Sequence, residues 1–198
     1  TSSVNYEGSG VRLIGDGLIT AGGTGTVTVT GTGGAGSTVA GVGVAVDGLG
    51  LSSNLARIGA ANGTTTITAI AGNTSSPALV VGSSTAGRVT TGNNNAIVFN
   101  IDSASIGSAG IISSGTGSTT INARTASTLV DLGGADVLTS GPFTLGLTDA
   151  ELDTITAGTL FILPVNGAVT VSAAITHANN LTVTGAAAIT VNNAITMA

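Results

Sequence analysis

The sequence predicts an all-β chain wound into a right-handed parallel β-helix, a β-solenoid, with one short helical insertion near residues 148–156. Three observations point there. Apolar residues alternate with Thr, Gly or Ser in many runs of four to seven positions. The runs stop at clusters of Gly, Asn or Ser. The core has to be built from small aliphatic side chains, because hydrophobic residues make up 42% of the 198 and aromatics only 2%.

The alternating runs are clearest in "GTVTVTGT" (25–32), "VGVAV" (42–46), "TTTITAIA" (64–71), "AIVFNI" (96–101), "TTINA" (119–123), "AVTVSAAI" (168–175), "LTVTG" (181–185) and "AITV" (188–191). A period of two means strands with one face buried. Val, Ile and Thr are β-branched and suit that pleated surface. Between them lie turn-forming residues, "GDG" (15–17), "VDGLG" (46–50), "ANG" (61–63), "GNNN" (92–95) and "SGTGS" (114–118), where Gly and Asn tolerate positive φ at low cost. Weak internal repetition supports stacking of similar units. "GVRLIGDGLIT" (10–20) matches "GVGVAVDGLGL" (41–51) at an offset of 31 residues, which makes Asp16 and Asp47 equivalent turn residues. "AIT" recurs at 174–176, 188–190 and 194–196. A Greek-key sandwich would carry more aromatics and cleaner hairpin dipeptides. An outer-membrane barrel needs strands of about 9–11 residues and aromatic girdles, and the aromatics here are only Tyr6, Phe99, Phe143 and Phe161.

One stretch departs from this grammar. In "LTDAELDTITAGTL" (147–160), three of the nine acids fall within five positions. Thr148 followed by Glu151 forms a capping box. Leu147 and Leu152 occupy the positions of a hydrophobic staple, and Asp149 and Glu151 favour the positive end of a helix. Capping thus explains two acids without a ligand and leaves Asp153 facing solvent. The chain divides into irregular Gly/Thr-rich rungs (1–146), a short capped helix and junction (147–160), and more regular rungs (161–198) expected to continue beyond the segment. A start at Thr1 rather than Met, and a strand-like end with no closing element, suggest a piece of something larger.

Charged residues make up 7%, against roughly 25% in an ordinary domain. The chain has no Lys, four Arg and a net charge of −5, so nothing neutralises a run of phosphates and no nucleic-acid partner is expected. Absent Cys excludes disulfides and thiolate sites. A Lys-free, Gly/Thr-rich surface suits an extracellular protein. No run of about 18 apolar residues exists to form a membrane-spanning helix.

The phrases "GVRLIGDGLITAGGTGTVTVTGTGG" (10–34), "LTDAELDTITAGTLFI" (147–162) and "GAVTVSAAITHANNLTVTGAAAIT" (167–190) resemble the repeat region of large bacterial filamentous-haemagglutinin-like exoproteins and adhesins. The resemblance covers most of the chain as a style and is sharpest from 145 to 190. It implies a secreted protein with a long right-handed β-helical shaft, displayed at the cell surface. The family's N-terminal secretion motifs are missing from this segment. The partners implied are further chain or further copies at the solenoid ends, with cell-surface glycans or host proteins as candidate ligands.

Other constellations weigh less. "GTGGAG" (31–36) fits a dinucleotide fingerprint but is followed by a strand-like stretch where a helix is needed. Asp131 and Asp136, with an Arg such as Arg124, would suit a polysaccharide-processing enzyme if a groove gathered them; otherwise the two acids flank a turn. Asp16 and Asp47 are too few for a calcium ladder. His177 has no partner at metal spacing and reads as a corner residue. Thr24, Thr26, Thr28, Thr30 and Thr32 raise an ice- or surface-binding alternative, which needs Thr pairs in register on many rungs. "NGT" (62–64), "NTS" (73–75) and "NLT" (180–182) are sequons expected by chance. The reading assigns no catalytic, cofactor-binding or metal-ligating residue, expects no cofactor, and expects a structural protein rather than an enzyme.

Overall fold

A computed structural model describes residues 7–35, 41–48, 56–83, 85–139, 143–185 and 187–197. Its strands follow the period-two runs. β1 (Val11–Ile14), β2 (Leu18–Ala21) and β3 (Val27–Thr32) make a first three-strand unit. β4 (Val44–Asp47), β5 (Ala56–Ala60) and β6 (Thr65–Ile70) make a second. β7 (Leu79–Val81), β8 (Gly87–Thr90) and β9 (Ile97–Ile101) make a third, and β10 (Ala104–Ile106), β11 (Gly110–Ser113) and β12 (Ser118–Ala123) a fourth. Each unit donates one strand to each of three sheets, in the orders β1-β4-β7-β10, β2-β5-β8-β11 and β3-β6-β9-β12, with every pairing parallel. The fold is therefore all-β, built from parallel sheets in a β-helix-like arrangement.

The regular order breaks once. After β12 the chain forms β13 (Leu129–Leu132), loops back, and forms β14 (Thr144–Leu147) on one edge of β13. The helix α1 (Asp149–Leu152) follows, then β15 (Ile155–Thr156) and β16 (Thr159–Leu163), which rejoin the second and third sheets beside β11 and β12. β17 (Val169–Val171) pairs with the other edge of β13. β18 (Ile175–His177), β19 (Asn180–Val183), β20 (Ile189–Val191) and β21 (Ile195–Met197) then pair with β21, β16, β17 and β18 respectively. β13 and β14 thus place two strands in the path where each earlier unit placed one.

Parallel register stacks like on like. Val29, Ile67, Phe99, Ile121, Ile162 and Val183 form one inward column of the third sheet. Phe99, Ile67 and Ile162 are fully buried there. The outer face carries hydrogen-bonded columns instead. Asn122 Nδ2 donates to Asn100 Oδ1 (3.0 Å), and Asn100 Nδ2 donates to Thr68 Oγ1 (3.2 Å). Such side-chain pairs supplement the backbone ladder.

Three sequence expectations change in detail. "AVTVSAAI" is two strands, β17 and β18, because the alternation fails at Ala173–Ala174 and the chain turns there. The helix is a single turn, Asp149–Leu152, so residues 155–156 of the expected insertion are strand. The repeat offset is 33 rather than 31, since Val11 stands beside Val44 and Ile14 beside Asp47. Asp16 keeps its turn, with Gly15 at φ +57°. Asp47 instead ends a strand, fully buried, and accepts from Thr85 N (3.0 Å) and Thr85 Oγ1 (2.7 Å). Residues 49–50 of the matched turn lie outside the described residues.

Phe99→Ala should lower the unfolding free energy by about 3–5 kcal/mol, since it empties the middle of a packed column. Thr30→Ala, on the exposed face of β3, should stay within about 0.5 kcal/mol. Urea denaturation of both variants checks the contrast.

Candidate functional site

Polar side chains concentrate where the strand order breaks. The ladder of the first sheet ends at β10, and β14 comes next in space without pairing to it. Two amides of β10 are therefore denied carbonyl partners from a neighbouring strand. Carboxylates take them. Ala104 N donates to Asp136 Oδ2 (2.9 Å), and Gly146 N of β14 donates to Asp136 Oδ1 (2.8 Å). Ile106 N donates to Glu151 Oε1 (3.0 Å). Asp136 and Glu151 thus stand in for backbone acceptors along the seam, and an unmet buried amide would cost about 1–3 kcal/mol.

The capping box is present. Thr148 N and Oγ1 donate to Glu151 Oε2 (3.0 and 2.8 Å), and Glu151 N donates back to Thr148 Oγ1 (3.4 Å). Leu147 and Leu152 are fully buried in the core, and Asp153 is exposed. The other acids reach in different directions. Glu151 serves β10, whereas Asp149 Oδ1 accepts from Thr176 N (2.6 Å) on β18. What looks like an acidic cluster in sequence is divided between two seams.

Burial pushes the Asp136 carboxyl up to about 7. The amides of Gly146 and Ala104 pull it down and the negative charge of Glu151 adds to the rise. Burial also holds His177 below its ordinary value, against the pull of Asp153 and Asp149. His177 is not a corner residue. Ile175 and His177 alternate inward on β18 while Thr176 points out, so the ring is buried beside Met197, and neither ring nitrogen has a partner.

A cleft of about 250 Å³ opens beside the third unit, lined in part by Asn73, Thr74, Asp102, Arg124, Leu138 and Phe143. Its charges are an ion pair, Arg124 to Asp102 at 3.2 Å. Asp102 also accepts from Thr125 N (2.7 Å), Thr125 Oγ1 (2.6 Å) and Thr128 Oγ1 (3.2 Å). Its oxygens are spent in fixing the turn that follows β12. Sequence reasoning missed Asp102, because its partners lie 22 to 26 residues on and only the parallel pairing of β9 with β12 brings them together.

Asp131, Asp136 and Arg124 do not share one groove. Arg124 lines the cleft, Asp136 lines a separate hollow with Glu151 and Ala104, and Asp131 sits on β13 between Gly146 and Thr170. "GTGGAG" has a packing reason. A Cβ on Gly31 would lie 2.2 Å from the Gly43 carbonyl oxygen, and one on Gly33 2.0 Å from that of Gly41; Gly36 lies outside the described residues. The outward Thr column runs Thr28, Thr66, Val98, Thr120, Phe161, Thr182, interrupted twice by apolar residues. The sequon asparagines are engaged in hydrogen bonds: Asn73 Oδ1 accepts locally from Ser75 N (3.0 Å), while Asn62 accepts from Asn93 Nδ2 and Asn180 Nδ2 donates to Gly158 O (3.0 Å) across neighbouring layers. Among the described residues no helix is long and apolar enough to cross a membrane.

No family model, curated protein or solved structure matches the chain.

The Asp136 shift gives a signed pH dependence. The unfolded chain loses this proton near pH 4 and the folded chain near pH 7, so the folded state holds the extra proton in between. Its contribution to stability falls as pH rises from about 4 to about 7 and is level above. Asp136→Asn removes the titration and leaves one amide unmet. The gap in urea midpoint between wild type and this variant should therefore be larger at pH 4.5 than at pH 8. A gap that widens with pH would show an ordinary carboxylate. Thr148→Ala should cost about 0.5–2 kcal/mol through loss of the cap, read by the same denaturation.

Proposed function

We propose that the chain is a structural and adhesive shaft segment of a secreted, cell-surface filamentous exoprotein of the filamentous-haemagglutinin-like kind, wound as a right-handed parallel β-helix. The observation that carries the reading is the state of the last layer. Val169 stands beside Ile189, Val171 beside Val191, Ile175 beside Ile195 and His177 beside Met197. The first member of each pair is buried, while the second is 36–57% exposed. The core columns therefore reach β20 and β21 with their apolar side chains uncovered. Among the described residues β20 and β21 also present unpaired edges, which favour addition of another parallel strand. A further layer, from continuing chain or from another copy, satisfies both needs at once.

A right-handed winding is favoured because right-twisted parallel strands in one sheet join by right-handed crossovers. The function is then mechanical, a rod whose length scales with the number of stacked layers. Cell-surface glycans or host proteins are the ligands such a rod would meet. The ice-binding alternative has less support, because Val98 and Phe161 interrupt the Thr column. The polysaccharide-processing alternative has less support, because Asp131, Asp136 and Arg124 line separate places.

Negative-stain electron microscopy of the native protein should show thin rods, and compact globules would contradict the reading. Val191→Glu with Ile195→Glu should keep the circular dichroism of the parent and abolish end-to-end association in sedimentation. Association unchanged by both substitutions would remove β20 and β21 as the joining face.

A further inference from the structure

Arg57 and Arg88 stand directly opposite each other on the neighbouring parallel strands β5 and β8. Ala56 and Ile58 on one strand, and Gly87 and Val89 on the other, are buried. Alternation therefore puts both arginines on the outer face of the second sheet. The same column continues to Leu18 on one side and Ile111 on the other, 62% and 36% exposed.

This pairing is unfavourable as it stands. Neighbouring strands lie about 4.8 Å apart, and like charges directly opposite each other destabilise a sheet. Neither arginine has a compensating acid. All nine carboxylate residues lie among the described residues, and the ion pair found among them is that of Arg124 with Asp102. The Nε atoms of Arg57 and Arg88 are moreover buried without a hydrogen-bond partner, although buried donors are ordinarily satisfied. Two charged forks with desolvated donors, side by side, lack one thing: a compact group with several acceptor oxygens and negative charge.

We propose that Arg57 and Arg88 form a binding site for a tetrahedral oxyanion, a sulfate or phosphate group, bridged between the two guanidinium groups. Guanidinium forks match such oxygens in pairs. The group turns the repulsion between the arginines into two attractions. Leu18 and Ile111 bracket the site along the column and offer apolar contact to the carbon skeleton of an ester. The site is independent of the shaft reading, since it needs only the register of β5 and β8.

Isothermal titration of the purified protein with inorganic phosphate at low ionic strength tests it. Wild type should bind saturably with one site per chain, and Arg88→Gln should bind about tenfold or more weakly. Glucose 6-phosphate distinguishes the sources. Tighter binding of the ester assigns the site to an esterified ligand packing on Leu18 and Ile111, and equal binding assigns it to the free ion; both support the site. Unfolding supplies a second readout. In anion-poor buffer Arg88→Gln should be at least as stable as wild type, because the repulsion is gone, and phosphate should reverse that order. Sulfate and phosphate also stabilise proteins non-specifically, but that effect is shared by both proteins. Absence of saturable binding by wild type, or binding by Arg57→Gln and Arg88→Gln as tight as that of wild type, would overturn the proposal.

Discussion

Everything in this chain depends on parallel strands stacking in register. Register turns a period-two pattern within one strand into columns running across many strands. An inward column such as Val29–Ile67–Phe99–Ile121–Ile162 is a continuous apolar seam made from residues that are individually small. That is how a chain with 2% aromatics buries a core. The same geometry acts on the outside. It lets Asn122, Asn100 and Thr68 join in a hydrogen-bonded column, and it forces Arg57 against Arg88.

A repeating ladder is most sensitive where its count changes. The extra strand formed by β13 and β14 leaves the edge of β10 away from β7 without a paired strand, and the exposed need is for hydrogen-bond acceptors. Asp136 and Glu151 supply them from side chains, each through both oxygens. Glu151 joins two levels of structure in one residue, since one oxygen closes the helix cap while the other holds the seam. The cost of placing carboxyls in a buried seam shows in the raised Asp136 value.

Much of the architecture was legible along the chain. Alternation located β3, β6, β9, β12, β19 and β20, and the Thr148–Glu151 spacing located the helix start. Those signals are local, involving residues a few positions apart. The errors fell where meaning depends on a neighbouring layer. Asp47 shares its "DGL" phrase with Asp16, yet register places it two residues from the matching turn and buries it. His177 has ordinary polar neighbours in sequence, yet it faces the interior because β18 starts where the alternation is reset. Asp102 and the divided roles of Asp149 and Glu151 were invisible for the same reason.

The sequence by itself determined the class of fold, the strand periodicity, the turn residues and the capped helix, because short-range sterics and hydrophobic periodicity act within a few residues. Only the tertiary structure decided the register, the doubled strand and the partners of each carboxylate. Those depend on the chain length between paired strands, which is twenty residues between Val169 and Ile189 but forty-three between Ile112 and Ile155. Each change in length reassigns which side chains meet across a layer, and in a stacked fold the chemistry lives in those meetings.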